Sequence, residues 1–228
     1  LTDDTVGIER DQFAITIVPD HEARTLTVTD NGIGMTKEDL ENNLGVIASS
    51  GSYRFRKEMD EKSEVDIIGQ FGVGFYAAFM VASSITVISR KYGEDQAWKW
   101  VSNGADGFTM EEADRATVGT DIIMTLKADT EEENYSEFLE EYTVRNLIRK
   151  YSDYIRYPIR MEVSKSRKKE DEDGYESYME EETLNSMIPL WQRPKKDVTD
   201  QEYESFYREK FFDYNKPLRT IHTSAEGT

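Results

Sequence analysis

RTLTVTDNGIGMTKEDLENNLGVIA, residues 24–48, changes its periodicity twice and so names two elements and the joint between them. Leu26 and Val28 alternate with Thr25, Thr27 and Thr29, the period-two pattern of a strand with one buried face. The strand ends on Asp30, and Gly32 and Gly34 follow within four residues. From Thr36 the period lengthens: Asp39 stands three residues on, and Leu40, Leu44 and Ile47 recur at i, i+4 and i+7. Together these predict a capped amphipathic helix over 36–48. Just upstream, FAITIVP at 13–19 repeats the strand pattern, and Pro19-Asp20-His21-Glu22 supplies turn chemistry, so a β-hairpin precedes the loop.

Downstream, Gly45 to Glu64 is polar without a sustained apolar period and reads as a mobile segment bounded by glycines. The run from Val65 to Arg90 gives a glycine-rich loop (GQFGVGF), a buried helix (YAAFMVA) and a strand (SITVISR). Strands are predicted at Ala97–Ser102 and Thr120–Lys127, and Trp98 and Trp100 share one face of the first, as core or edge packing. Tyr135, Phe138, Leu139 and Tyr142, then Leu147, Ile148 and Tyr151, give one long or two short helices before a strand at YPIRMEV. A mixed sheet with a helical layer accounts for residues 1–163. Residues 164–182 carry dense charge of both signs and almost nothing to bury, and are expected to be a solvated linker. The aromatic residues Trp191, Phe206, Tyr207, Phe211 and Phe212 make 183–228 the expected opening of a second α/β domain.

With 46 acidic and 28 basic residues the net charge is −18, which offers no sequence-wide attraction for nucleic acid or an anionic membrane. Any phosphate must be held by local geometry. Cysteine is absent, which excludes disulfides and thiolate metal sites, and His21 and His222 are too few for a histidine-rich one. No run approaches the roughly 20 apolar residues of a membrane span. A soluble, cytoplasmic protein is the expectation.

Two places carry chemistry. An ionised Asp30 only accepts hydrogen bonds, so facing a purine it favours the N6 amino donor of adenine and repels the O6 acceptor of guanine. Taken alone, DNG reads first as a turn. Gly69-Gln70-Phe71-Gly72-Val73-Gly74-Phe75 precedes an apolar helix, and its amides can face an anion at the helix start, although close packing explains the glycines as well. Gly119-Thr120, opening a strand, adds a hydroxyl that could complete a base contact.

DNGIGM, NNLGVIASSGS, IGQFGVGFYAAFMVA and GTDI, in that order, resemble the Hsp90 chaperone family in its bacterial form. KYSDYIRYPI, IPLWQR and DVTDQEYESFYREKFFDYNKPL extend the similarity over essentially the whole chain. The resemblance implies the ATPase fold shared with gyrase B, MutL and histidine kinases, a two-layer sandwich of a mixed sheet with helices on one face. It implies that Asp30 binds the adenine amino group, with Gly34, Met35 and Thr120 lining the base pocket. Asn43 and Leu44 would border the sugar and phosphates, and Gly72, Val73, Gly74 and Phe75 the phosphate end. The segment from Gly45 to about Gly72 would be a lid. ATP or ADP with Mg²⁺ would be the cofactor, and client proteins and a second copy of the full-length chain the partners. Ser49 departs from the family's lysine. The family's general-base Glu belongs to a helix expected to precede Leu1, so no catalytic residue is assigned and hydrolysis by these residues alone is expected to be negligible.

Overall fold

A computed structural model describes residues 10–45, 74–168 and 174–223. Among them, eight strands form one sheet in the order β5-β4-β3-β6-β2-β1-β7-β8. They are β1 Ile15–Asp20, β2 Thr25–Asp30, β3 Ala82–Arg90, β4 Ala97–Ser102, β5 Phe108–Ala113, β6 Gly119–Leu126, β7 Ile159–Lys168 and β8 Tyr175–Thr183. The β1–β7 pair is parallel and the other neighbours antiparallel, so the sheet is mixed as expected.

The helical layer has two parts. Helix α1, Lys37–Leu44, starts on Thr36, whose hydroxyl accepts from the Asp39 amide while the Asp39 carboxylate accepts from the Thr36 amide. It buries Leu40 and Leu44 against Ile85, Val87 and Trp100. Phe75–Met80 packs beside it as a 3-10 helix that is only partly buried, where a buried helix was expected, with Met80 left exposed. Helix α2, Glu141–Tyr151, lays Val144 and Ile148 on Ile159, Met161 and Val163 of β7. Leu26, packed with the second cluster, stands directly across from Met124, packed with the first. Cross-strand partners point to the same side of a sheet, so both parts of the layer cover one face.

Two strands escaped sequence reading. Strand β5 is an edge strand whose Glu111 and Glu112 hide its alternation. Strand β8 lies where a solvated linker was expected, and the correction has an electrostatic cause. The opposite charges of 164–182 face each other across a hairpin: Lys165 meets Glu180 at 2.6 Å, Arg167 meets Glu176 at 2.5 Å, and Glu182 also takes Arg145 of α2 at 2.6 Å. A composition that suggests solvation is therefore compatible with cross-strand pairing.

The packed unit continues past the sheet. Asn185, 6% exposed, accepts from the Ile159 amide at 2.8 Å and donates to the carbonyls of Ile155 and Tyr157 at 2.8 and 3.0 Å. It stands in for a missing strand partner at the start of β7. Asn185→Ala leaves these groups unpaired, and a loss of about 2 kcal/mol or more is expected in denaturant melts. Further on, helix α3, Asp200–Phe211, begins on a Thr199–Glu202 capping box. Its Phe206 packs edge-on to Trp191, which in turn meets Tyr154 at 5.1 Å.

Candidate functional site

The site begins as an interruption in the core. Across the helix-covered face, one rung of cross-strand partners reads Trp100, Val87, Ile122, Val28, Ile17, Met161, apolar throughout. Two residues along each strand, the next rung reads Trp98, Ser89, Thr120, Asp30, Ile15, Ile159. Its ends are apolar and its three central positions are polar. A carboxylate and two hydroxyls therefore stand on the inner face of the sheet, at the end where the glycine-rich loop leaves β2.

Each polar group is positioned by contacts within the fold itself. Ser89 is fully buried; its Oγ accepts from the Met35 amide at 2.8 Å and lies 3.2 Å from the Gly119 carbonyl and 2.9 Å from Thr120 Oγ1. The Ile33 carbonyl accepts from the Tyr92 amide at 2.8 Å, so the loop 31–35 is fastened to the end of β3 at two points. This approach requires Gly34: its φ is +66°, and a Cβ there would sit 1.9 Å from the Arg90 carbonyl oxygen. Gly119, at φ +127°, lies equally close to β2, where a Cβ would stand 2.1 Å from the Asp30 carbonyl oxygen.

Asp30 accepts from the Gly32 amide through Oδ1 at 2.8 Å. Among the described residues no donor reaches its second carboxylate oxygen. Burial pushes the carboxyl above the ordinary carboxylate value; the Gly32 amide and the Arg115 guanidinium oppose that rise, and the neighbouring Asp121 adds to it. Arg115 is itself held by a two-pronged contact with Asp121 at 2.9 and 3.0 Å, and donates to the Asp30 carbonyl at 3.4 Å.

The structure thus brings Asp30, Gly34, Met35 and Thr120 together around Ser89. Met35 also packs on the cluster that contains Leu44 and Phe75. Phe75 meets Trp100 edge-on at 5.5 Å, and the Tyr76 hydroxyl donates to the Leu44 carbonyl at 2.7 Å, tying the 3-10 helix to the end of α1. Asn43 is half-buried on α1, one position before Leu44. Gly74 caps the 3-10 helix, and among the described residues nothing lies within 4 Å of where its Cβ would be. Gly72, Val73, Ser49 and the expected lid beyond Gly45 lie outside the described residues.

Sequence reading missed Ser89, Arg115 and the close approach of Gly119. For Ser89 a signal exists: Ile85, Val87 and Ser89 occupy alternate positions of one strand, and the third breaks an apolar register with a hydroxyl. Arg115 lies in a loop after an acidic edge strand, where nothing local announces a partner.

Residues 3–123 match the family model described as histidine kinase-, DNA gyrase B-, and HSP90-like ATPase. Residues 137–181 and 168–228 match the model of the Hsp90 protein. The chain is 54% identical over 228 residues to the chaperone protein HtpG of Clostridium botulinum strain Hall, and 55% identical to that of Clostridium perfringens strain 13. All of this chain is covered in both alignments, against 36% and 37% of the relatives, so it spans little more than a third of their length. The polar rung, the fastened glycine loop and these matches place the chain in the histidine kinase-, DNA gyrase B-, and HSP90-like ATPase family, among its Hsp90 proteins.

Proposed function

We propose that the chain is the nucleotide-binding part of an ATP-dependent molecular chaperone, with Asp30 accepting from the adenine amino group. The observation that carries this reading is the half-buried Asp30 carboxylate in the middle of an otherwise core-facing rung. Ionising it there is unfavourable for the fold alone, as its raised pKa indicates, and a bound amino donor would offset that cost. In this reading Gly34, Met35 and Thr120 line the base, Asn43 and Leu44 border the sugar and phosphates, and Gly72, Val73, Gly74 and Phe75 surround the phosphate end. The segment from Gly45 to about Gly72 folds over the ligand as a lid.

The residues fit a nucleotide better than they fit a free metal. The Gly34 and Gly119 approaches leave a carboxylate and a hydroxyl at the centre of the rung, whereas among the described residues no group of three His, Cys, Asp or Glu could hold an ion. Mg²⁺ therefore enters as the companion of the triphosphate. When bound, ATP supplies the free energy of its cleavage, and these residues bind and orient it. Turnover by the present chain is proposed to be negligible, since none of its residues is assigned to activate water. We place the end of the nucleotide-binding unit after Asn185, the residue that completes the start of β7, and read the aromatic segment beyond, which packs back through Trp191 on Tyr154, as the start of a second domain. Client proteins, pairing of two full-length chains and a cytoplasmic setting belong to the same proposal. Among the described residues no helix is long and apolar enough to cross a membrane.

Titration calorimetry with ATP and GTP tests it. Binding of ATP with markedly weaker binding of GTP is expected; equal affinity for the two, or silence toward both, contradicts the role given to Asp30.

A further inference from the structure

We infer that Ser89 is a positioning residue, which fixes the direction of the Thr120 hydroxyl and so makes the site discriminate 6-amino from 6-oxo purines. The inference rests on the nucleotide reading above and deepens it.

A serine hydroxyl has one proton to give and two lone pairs to receive with. Ser89 is 0% exposed, and three protein groups surround its oxygen. The Met35 amide, at 2.8 Å, can only donate; the Gly119 carbonyl, at 3.2 Å, can only accept; the Thr120 hydroxyl, at 2.9 Å, can do either. One assignment satisfies all three contacts. Ser89 receives from Met35, gives its proton to Gly119, and receives the proton of Thr120. With its proton turned inward to Ser89, Thr120 presents lone pairs alone toward its cross-strand partner Asp30.

Asp30 and Thr120 then form a pair of acceptors side by side. A 6-amino group meets them as a donor, whereas a 6-oxo group brings a third acceptor and is repelled. In the opposite assignment Ser89 gives its proton to Thr120, the Gly119 contact has no hydrogen to fill it, and the freed Thr120 proton could receive a 6-oxo group. Buried polar groups favour the arrangement that pairs them all, so the fold selects the first. Ser89 touches no ligand in this scheme and acts only through Thr120.

The test is the ratio of affinities for ATP and for ITP, whose bases differ in the 6-substituent and the adjoining ring nitrogen, measured by calorimetry on the wild-type chain, Ser89→Ala, Thr120→Val and the double variant. A ratio is insensitive to the folded fraction of a weakened variant. Wild type is expected to prefer ATP, and Ser89→Ala to reduce that preference roughly three- to ten-fold by freeing the Thr120 proton. In the Thr120→Val background Ser89→Ala is expected to leave the ratio unchanged. Equal weakening of both ligands by Ser89→Ala, or a further shift of the ratio in the Thr120→Val background, would assign Ser89 a purely structural role and overturn the inference while leaving the nucleotide reading in place. Failure of the wild-type chain to bind either nucleotide would overturn both.

Discussion

Asp30→Asn is expected to weaken ATP binding roughly 10- to 150-fold, the factor corresponding to one charge-assisted hydrogen bond of about 1.5–3 kcal/mol. The fold is expected to survive the change without loss. Asparagine keeps the volume and an oxygen for the Gly32 amide, which Asp30 Oδ1 now receives at 2.8 Å. It also removes a charge that burial opposes. Because the folded-state pKa of Asp30 lies above its ordinary value, the native state holds this proton more tightly than the unfolded chain. Stability from this group is therefore greatest below the ordinary carboxylate value and falls as pH rises through the raised one. At neutral pH the asparagine variant should melt at an equal or higher temperature than wild type, and the difference should shrink on acidification through the raised value. Calorimetric affinity and thermal melts at two pH values check the two halves. A variant that loses affinity because it unfolds would contradict this account.

Gly34→Ala is expected to have the largest effect on the fold of any single methyl group in the loop. Alanine in the left-handed region costs about 1–2 kcal/mol, and overpacking typically about 1–3 kcal/mol. Here the added carbon would lie 1.9 Å from the Arg90 carbonyl oxygen and 2.6 Å from its carbon, backbone atoms of a central strand that cannot yield as a flexible side chain would. The loop must lift, and the Tyr92–Ile33 and Met35–Ser89 hydrogen bonds, both 2.8 Å, would break with it. A loss of roughly 3 kcal/mol is expected in denaturant melts, together with loss of nucleotide binding. Gly74→Ala is the control: φ there is −60°, and among the described residues no atom stands near the new Cβ, so stability should hardly change.

The fold was legible where side chains repeat with a clear period. The hairpin 15–30, α1 with its Thr36 cap, and strands β3, β4 and β6 all follow from alternation or from i, i+4 spacing close to the residues themselves. It was not legible where charge stands in for hydrophobicity. Lys165 and Arg167 read as linker because their partners, Glu180 and Glu176, lie 15 and 9 positions away and meet them only once the hairpin closes. The site divides in the same way. Asp30 and Gly34 announce themselves because a carboxylate and glycines at a strand end are unusual for a core. Thr120 offered only a hydroxyl at a strand start, and its place across from Asp30 is set by the pairing of β2 with β6. Ser89 and Arg115 act on groups 31 and 85 residues distant in sequence, and such contacts are made by sheet order rather than by local pattern.

The central claim is that the polar rung at Asp30 and the glycine-capped start of the 3-10 helix at Gly74 hold opposite ends of one adenosine polyphosphate. Amide chemical shifts of the isotope-labelled chain, followed through titrations with ATP and with adenosine, test it most directly. The account predicts that with ATP the amides of Gly34, Met35 and Thr120 and those of Gly74 and Phe75 move together along a single binding curve, and that with adenosine the first group alone moves. Movement of only one group with ATP, or two curves with different dissociation constants, would contradict it.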